Sequence, residues 1–531
     1  MKAPAAGART PLEEGGLDAP TRSAAPVRGG AIGRACVLLT VSIVTACAGR
    51  PGAGAESPSA APAPAVSITV ELSPRVPRAP RAPRRLNFAV PLAQGSLRDE
   101  HALRVSAQGQ ELPAARRGLA RYPDGSWRSV QLQVEPAPGT TQLEVTLGQV
   151  GQGGVELLPV SALVDEQGLP AVWALLPAAH LAQSGLVGPM VPRAQLLGTA
   201  LDAWANVCDY QRFGTEVFLE GAARREVWLF DRVTAMVRGH VFTGALAPLE
   251  AAAREVELYR AGLTLDAEGV VSALAVPGAS EDLKYHYSQG LALHYLLTGD
   301  DRHREAAEAI ARRAARLWDS PGYAGGDDFW TERHAGFGLL AFEWAAVVSD
   351  DEAERFSQLA DAAATAYLQL QDSYPPGYAD REARCFAHSA TAHSEPYGHD
   401  GCSPWMSAIL AEALLTYATR VGGERALLVR ESLIKLGRSI ARDGRDPLTG
   451  RPYYWMGVGA GRSQPDETDE HWGEAAYLVA LAWRLDGKRD AGLRQQATQL
   501  IDGLRARGFA GHVRSFNWQC RTAVATPALL L

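Results

Sequence analysis

The sequence predicts a multidomain β + α protein, in which an N-terminal antiparallel β-barrel or β-sandwich precedes an (α/α) toroid of about five to six helical hairpins. The first observation is a period-2 alternation of apolar and polar residues between Leu86 and about Leu147. The second is a helical period from about Glu226, with helix–turn–helix patterns recurring roughly every 60 residues. The third is that six of the twelve histidines lie in four loops, each preceding an apolar helical stretch.

Residues 1–47 have the pattern of a bacterial lipoprotein signal peptide. Ala35–Ala46 is a 12-residue apolar run, too short to span a bilayer but typical of a signal h-region. The run leads into Val44-Thr45-Ala46-Cys47, which resembles a lipobox and predicts that Cys47 is lipidated. An ordinary secretory signal is the alternative. We therefore expect an exported bacterial lipoprotein of the outer membrane or cell surface, attached to the membrane only through its lipid anchor.

Residues 48–83 are rich in Pro and Ala and predict a disordered tether. Residues 84–225 predict the β domain or domains, and residues 226–531 predict the toroid that carries the site. The clearest alternating segments are Phe88–Pro91, Leu103–Ala107, Trp127–Val134 and Gln142–Leu147. Weaker strand candidates follow at Val172–Leu176, Gln195–Leu201 and Val217–Leu219.

Two motifs of the β region resemble a known family. They are Val90–Asp99, with the sequence VPLAQGSLRD, and Arg121–Arg128, with the sequence RYPDGSWR. With Leu103-Arg-Val and Gln110–Pro113, they resemble the N-terminal β-barrel domain of the exo-rhamnogalacturonan lyase (YetA-like) family. The resemblance covers about 65 of the 531 residues and implies a pectin-like or other acidic glycan as substrate. It implies no catalytic residues, because no later motif of that family matches this chain residue by residue.

The helical half divides into hairpins with glycine in their turns. Gly244 and Gly299 follow helical stretches, where a left-handed cap is expected. In α/α toroids the long connections that lead into the inner helices line the central cavity. The four histidine-bearing loops stand at these connections, so we expect them to form the walls of one site.

The first loop carries Lys284 and Tyr285 at the start of an apolar helix. A cation there can hold a substrate carboxylate, and a phenol can transfer a proton. We expect Tyr285 to be catalytic and Lys284 to bind substrate. A solvated first helical turn with tyrosine as packing is the alternative.

The second loop, Asp327–His334, combines acids, an aromatic ring, a cation and a histidine. Arg333 offers a bidentate fork for a carboxylate, and His334 carries a proton near neutral pH. We expect both to be catalytic. The residues expected to bind substrate are Asp328, Trp330 and Glu332, although helix capping explains part of this polarity.

The third loop, His388–Trp405, is the densest in titratable residues. We expect His399 to be catalytic. The residues expected to bind substrate are His393, Glu395, Tyr397, Asp400 and Trp405. A zinc site is the alternative, with ligands from His388, His393, His399, Asp400 and Cys402, but the spacings match no HExxH or CxxC pattern.

The fourth loop, Asp466–Trp472, is rich in acids before its histidine. We expect Glu470, His471 and Trp472 to bind substrate. Capping by Thr468 or Asp469 accounts for part of the charge.

Composition limits the partners. The net charge of −7 disfavours a nucleic-acid surface, so we expect no nucleic-acid partner. No cofactor is required by the prediction, and a zinc or calcium ion is the alternative. Cys208, Cys385, Cys402 and Cys520 allow two disulfides in three pairings.

The predicted function is cleavage of a uronate-containing, pectin-like glycan by β-elimination, with acidic polysaccharide or oligosaccharide as partner. Elimination needs a group that neutralises the uronate carboxylate, a base for the C5 proton and an acid for the leaving oxygen. The loops are rich in Arg, His and Tyr, which suits these roles. One alternative is a glycoside hydrolase of the α/α-toroid type, which needs two carboxylates. The other is a non-catalytic glycan-binding surface lipoprotein.

Overall fold

The β region begins earlier than predicted. The computed structural model describes residues 66–75, 85–204, 207–323, 330–393, 397–507 and 512–531. Ser67–Pro74 forms a strand that pairs on both sides within a sheet, so the prediction of a disordered tether is wrong for these residues. The reason is that Ile68, Val70 and Leu72 alternate with polar residues, a short β pattern that the surrounding Pro and Ala obscure.

Eight strands form two antiparallel sheets. Their bounds are β1 Ser67–Pro74, β2 Leu86–Pro91, β3 Leu103–Ala107, β4 Gln110–Leu112, β5 Ala114–Arg121, β6 Trp127–Val134, β7 Gln142–Leu147 and β8 Val172–Leu175. One sheet has the order β4-β3-β7-β1-β8 and the other β2-β6-β5. Neither sheet closes into a barrel within the described residues, so the barrel form of the prediction is wrong there.

The later part of the predicted β domain contains short helices. These are α1 Ala178–Gln183 and α2 Thr215–Gly221. Phe218 is buried in α2 while Val217 and Leu219 are exposed. The three consecutive apolar residues 217–219 predicted a strand. In the structure only the middle one faces inward, as expected for one turn of a helix.

The second half of the chain is a succession of paired helices. Their bounds are α3 Arg232–Thr243, α4 Leu246–Ala261, α5 Gln289–Thr298, α6 Asp301–Leu317, α7 Glu332–Val348, α8 Ala353–Ser373, α9 Pro404–Val421, α10 Gly423–Asp443, α11 Trp472–Leu485, α12 Ala491–Arg507, α13 Val513–Thr522 and α14 Thr526–Leu530. Gly244 and Gly299 take the left-handed conformation after α3 and α5, as expected.

Short strands connect some of the helices. Their bounds are β9 Leu263–Leu265, β10 Val271–Leu274, β11 Trp318–Asp319, β12 Gly322–Tyr323, β13 Gly401–Cys402, β14 Tyr453–Gly457 and β15 Gln464–Pro465. They form small antiparallel sheets outside the two large ones.

The first helix of each pair is buried along most of its length. α3, α5, α7, α9, α11 and α13 each contact the next in this series, and α13 contacts α3. α4, α6, α8, α10 and α12 each pack beside the helix that precedes them. This explains the burial pattern, because a helix with neighbours on several sides is apolar nearly all round.

The three-stranded sheet contacts the C-terminal end of α5. The Ser129 hydroxyl donates to the Leu296 carbonyl at 2.7 Å, and the Asn87 amide donates to the Thr298 carbonyl at 2.7 Å. The Tyr295 hydroxyl donates to the Leu119 carbonyl at 3.0 Å. The loop that carries Lys284 and Tyr285 is therefore at the opposite end of α5 from this sheet.

Residues Ala63–Leu531 form one compact unit, whose hydrophobic core runs from Ile68 to Leu530. Two disulfides join Cys208 to Cys520 and Cys385 to Cys402, one of the three possible pairings. The predicted signal peptide and Cys47 lie outside the described residues. No helix in the described part of the chain combines the length and apolarity needed to cross a bilayer.

Candidate functional site

Asp282 joins the first two predicted loops. Its carboxylate lies 2.8 Å from Lys284 Nζ and 3.3 Å from His334 Nε2. It also accepts a hydrogen bond from the Lys284 backbone amide at 3.2 Å, which caps a short 3-10 turn at Leu283–Tyr285. A buried carboxylate therefore holds the first loop against the start of α7.

Electrostatics keep Asp282 ionised. Burial alone would raise the pKa of its carboxyl, but the hydrogen bond from His334 and the Lys284 ammonium hold that pKa well below its usual range. Lys284 thus has a permanent anionic partner, and its side chain stays partly accessible. This arrangement fixes the ammonium in place.

His334 is engaged at both ring nitrogens. Nδ1 lies 2.8 Å from the Thr331 hydroxyl, and Nε2 lies 3.3 Å from Asp282 Oδ1. A neutral ring that donates from Nε2 and accepts at Nδ1 satisfies both contacts. His334 is buried. Its geometry suits the positioning of Asp282 better than the removal of a substrate proton.

Tyr285 brings a protonated phenol next to these charges. Burial and the Asp282 charge raise the pKa of its hydroxyl, while the Arg225 and Arg333 guanidinium groups oppose that shift. Its carbonyl accepts a hydrogen bond from the Tyr259 hydroxyl at 2.7 Å, which fixes the backbone. At neutral pH Tyr285 is therefore a proton donor.

Arg333 links these groups to the other two loops. Its guanidinium carbon lies 5.3 Å from the centre of the Trp405 ring. Trp405 in turn stacks on His471, with ring centres 4.9 Å apart and planes 10° apart. We call Lys284, Tyr285, Arg333, His334, Trp405 and His471 the cation–aromatic cluster.

Further aromatic rings support this cluster from neighbouring helices. The ring centres of Trp518, on α13, and His471 are 4.7 Å apart. Those of Phe230, just before α3, and Trp405 are 5.9 Å apart. Tyr454 of β14 lies 5.4 Å from Trp405. Residues from all four loops thus meet at the N-terminal ends of the buried helices.

Glu332 and Trp330, which were expected to bind substrate, are buried against other protein groups. Glu332 is fully buried, and its carboxylate accepts hydrogen bonds from the Ser403 amide at 2.9 Å and the Ser407 hydroxyl at 3.3 Å. Its second oxygen lies 2.9 Å from His388 Nδ1. Trp330 is buried 6.0 Å from the His388 ring. These contacts hold the N-terminal end of α7 against the N-terminal end of α9.

The His399 part of the third loop lies in a separate cleft of about 610 Å³. His399 Nε2 is 2.9 Å from the Arg462 carbonyl and 3.3 Å from Trp455 Nε1. The carbonyl needs a donor and the indole N–H needs an acceptor, so Nε2 can hydrogen-bond only one of them at a time. Asp400 accepts a hydrogen bond from the Tyr374 hydroxyl at 2.7 Å, and Tyr397 stacks on Trp455. Within the described residues, no contact joins His399 to His334.

The zinc alternative for the third loop loses one of its ligands. Cys402 is bonded to Cys385, so its sulfur offers no thiolate. His388 packs against Glu332 instead. Asp328 and Glu395 lie outside the described residues, as does the side chain of His393.

The fourth loop is organised by Asp466. Its carboxylate accepts hydrogen bonds from the amides of Glu470 at 2.6 Å and His471 at 3.0 Å. Trp472 donates to Asp469 and packs its ring against Gly503. Glu470 is buried beside the cluster residue His471.

Sequence reasoning missed Asp282, Asp466 and Glu474. Burial raises the pKa of the Glu474 carboxyl, which lies 3.7 Å from His471 Nδ1. An Asp at the start of a turn, whose carboxylate accepts a hydrogen bond from the amide two residues later, is the signal in both loops. Asp282 accepts from the Lys284 amide and Asp466 from the Thr468 amide. No family model matches the chain, and no curated protein matches it.

Proposed function

We propose that this chain is a carbohydrate-active enzyme that cleaves a uronate-containing glycan by β-elimination. The observation that carries the proposal is the cation–aromatic cluster, where Lys284, Arg333 and a protonated Tyr285 converge beside Trp405. A uronate residue combines a carboxylate with an apolar ring face. Cations and a flat aromatic surface complement those two features.

We also infer that the helical region is an (α/α) toroid. The series of contacts from α3 through α13 and back to α3 supports this arrangement. The cluster then lies at the end of the toroid where the buried helices begin. Helix N-termini carry partial positive charge, which favours an anionic substrate at that end.

Each cluster residue has a role in this mechanism. Arg333 and Lys284 neutralise the uronate carboxylate, which makes the C5 proton more acidic. A histidine of the cluster takes that proton. His334 is the sequence-based candidate, and His471 is the alternative because both His334 nitrogens face protein oxygens. Tyr285 gives its proton to the leaving O4 as the C4–O4 bond breaks, and the products are an unsaturated uronate and a free hydroxyl.

Glycoside hydrolysis is the second candidate, favoured by one observation. The environments of Asp282 and Glu474 push their pKa values in opposite directions, down for Asp282 and up for Glu474. Two carboxyls separated in this way are the pattern of a nucleophile or base and a general acid. Both carboxyls adjoin residues of the cluster.

Export as a lipoprotein anchored at Cys47 remains part of the proposal, with residues 1–47 as the signal peptide. The two disulfides support an oxidising compartment. Acidic polysaccharide outside the cell is then the accessible substrate. His399 and its cleft are proposed to hold a more distant part of the glycan chain.

The deciding experiment is absorbance near 235 nm while the purified protein acts on polygalacturonate, alginate or other acidic glycans. A rise reports the unsaturated uronate and supports elimination. New reducing ends without that rise support hydrolysis. Binding with neither signal supports a non-catalytic glycan-binding protein.

Tyr285→Phe tests the proton donor. We expect kcat to fall by about 100-fold or more, since general acid catalysis contributes on the order of 10² to 10⁴ in rate. KM should change little because the ring remains. Tyr417→Phe is the matched control, since it removes a hydroxyl that bonds Asp361 near the opposite end of α9. Unchanged kcat in Tyr285→Phe would remove Tyr285 from the mechanism.

A further inference from the structure

A second group of metal-ligand side chains lies at the α5–α6 turn, at the opposite end of α5 from the cation–aromatic cluster. His294 is on α5, Asp300 caps α6, and His303 is in the first turn of α6. All three are buried. The left-handed Gly299 between the helices brings His294 next to the other two.

We propose that His294, Asp300 and His303 bind a divalent transition metal of the zinc class. One potential ligand atom from each residue lies within 4.8 Å of the others. His303 Nδ1 and Asp300 Oδ2 are 3.4 Å apart. Two ligands at about 2.0–2.2 Å from a tetrahedral zinc ion are about 3.3–3.5 Å from each other, so this pair is already at the required separation.

His303 gives an independent reason to expect an ion. Its side chain is 1% exposed, and each ring nitrogen faces a carboxylate oxygen at 3.4 Å without meeting hydrogen-bond geometry. Poorly aligned contacts leave a buried imidazole only partly compensated, and coordination at Nδ1 supplies the missing interaction. Nε2 lies 3.4 Å from Glu257 Oε2. A carboxylate behind the outer nitrogen of a coordinating histidine is the usual arrangement that orients such ligands.

One of the three proposed ligand residues, His294, also borders a cavity. His294 lines a cavity of about 470 Å³ between the sheets and the helices, together with Asn87, Trp173 and Thr298. Three protein ligands leave the fourth position of a tetrahedral ion open. The ligand class that fits there is water or a small anion that enters from this cavity.

The alternative to a metal at this site is a purely structural set of ion pairs. The Arg302 guanidinium bonds the Asp300 carboxylate at 2.6 Å, and Arg260 bonds Glu257 at 2.6 Å. In a metal-free site, His303 would only bridge the Asp300 and Glu257 carboxylates. The two states differ in metal content, which makes them separable by experiment.

The test is metal binding by the full chain. The protein is stripped with a chelator and dialysed against micromolar Zn²⁺, and bound zinc is counted by mass spectrometry. We expect one equivalent per chain, and Co²⁺ in its place should give the intense visible absorption of a tetrahedral site. Protein that is already loaded with Zn²⁺ should not take up Co²⁺ at this site.

His303→Gln and His294→Gln should each lose most of the bound metal. His101→Gln, at an exposed position of the β region, is the matched control and should retain it. His294→Gln decides the matter if His303→Gln fails to fold, which circular dichroism will report. No zinc in the wild-type protein, or one equivalent that persists in a folded His294→Gln variant, would overturn the proposal and leave His303 as a structural residue.

Discussion

At the scale of single residues, Asp282 decides the geometry of the cation–aromatic cluster. It contacts the Lys284 ammonium and the His334 ring, which come from different loops. A charged group that is 9% exposed is stable only when it is paired. The ion pair and hydrogen bonds therefore do two things at once, since they compensate the burial of the carboxylate and fix the first loop against the second.

Asp282→Asn should destabilise the protein in a pH-dependent way. The pKa of Asp282 is lowered on folding, so its contribution to stability is present above the unfolded pKa of about 3.9 and is lost as pH falls below it. Removing one partner of a buried pair costs about 3–5 kcal/mol at pH 7. Urea unfolding at pH 7, 5 and 3.5 measures the difference from wild type, which should shrink at the lowest pH. Asp319→Asn, at an exposed position, should show no such difference. A constant difference across this range would contradict the assignment.

Residue types in the four loops predicted which side chains converge better than they predicted the contacts that each side chain makes. Lys284, Tyr285 and Arg333 are brought together as the spacing suggests, because helix starts that follow long connections meet at one end. His399 is not, because the third loop folds back on itself. His388 pairs with Gly401, and Cys385 is bonded to Cys402, while His399 and Asp400 line another cleft. Contacts between residues that are distant in the chain produce no periodic pattern in the sequence.

At the scale of helices, a buried polar network joins four of the buried helices. Glu412 on α9 accepts hydrogen bonds from Arg238 of α3 at 2.7 Å and Gln289 of α5 at 2.9 Å. Arg521 of α13 lies 2.9 Å from its other oxygen. Burial opposes ionisation, but Arg238 and Arg521 lower the pKa of this carboxyl. The network specifies which helices are neighbours, which apolar packing alone does not.

Glu412→Gln should be strongly destabilising, because it leaves two buried guanidinium groups without a compensating charge. The expected loss in unfolding free energy is about 3–5 kcal/mol. Glu135→Gln breaks a partly exposed pair with Arg85 and should cost about 1 kcal/mol or less. Chemical unfolding of both variants at pH 7 makes the comparison. Similar losses in the two variants would mean that the network adds little to the stability of these buried helices.

The helix pairs were predictable from sequence and the first strand was not. Gly244 and Gly299 end their helices in the expected conformation, since local backbone chemistry decides a cap. Ser67–Pro74 is a strand because β7 and β8 pair with its two edges, and those partners lie more than 60 residues away. Local composition indicated a tether instead. Elements stabilised by distant partners are the ones that composition misjudges.

At the scale of the whole molecule, the two disulfides restrain very different lengths of chain. Cys208–Cys520 joins positions 312 residues apart and ties α13 to the segment before α2. α13 also contacts α3, so this bond reinforces the point where the series of buried helices returns to its start. Cys385–Cys402 spans only 17 residues and stabilises the base of the third loop.

Removal of the long-range disulfide should therefore cost more than removal of the local one. Loop-closure entropy gives about 6 kcal/mol for a separation of 312 residues and about 3 kcal/mol for 17, as upper estimates. Thermal unfolding of Cys208→Ser/Cys520→Ser and Cys385→Ser/Cys402→Ser under non-reducing conditions tests the order. Glycan cleavage adds a second readout, because loss of the local bond should disturb the His399 cleft while leaving α13 in place. A larger loss of stability in the Cys385→Ser/Cys402→Ser variant would show that local order in the third loop, rather than the contact between α13 and α3, limits the stability of the molecule.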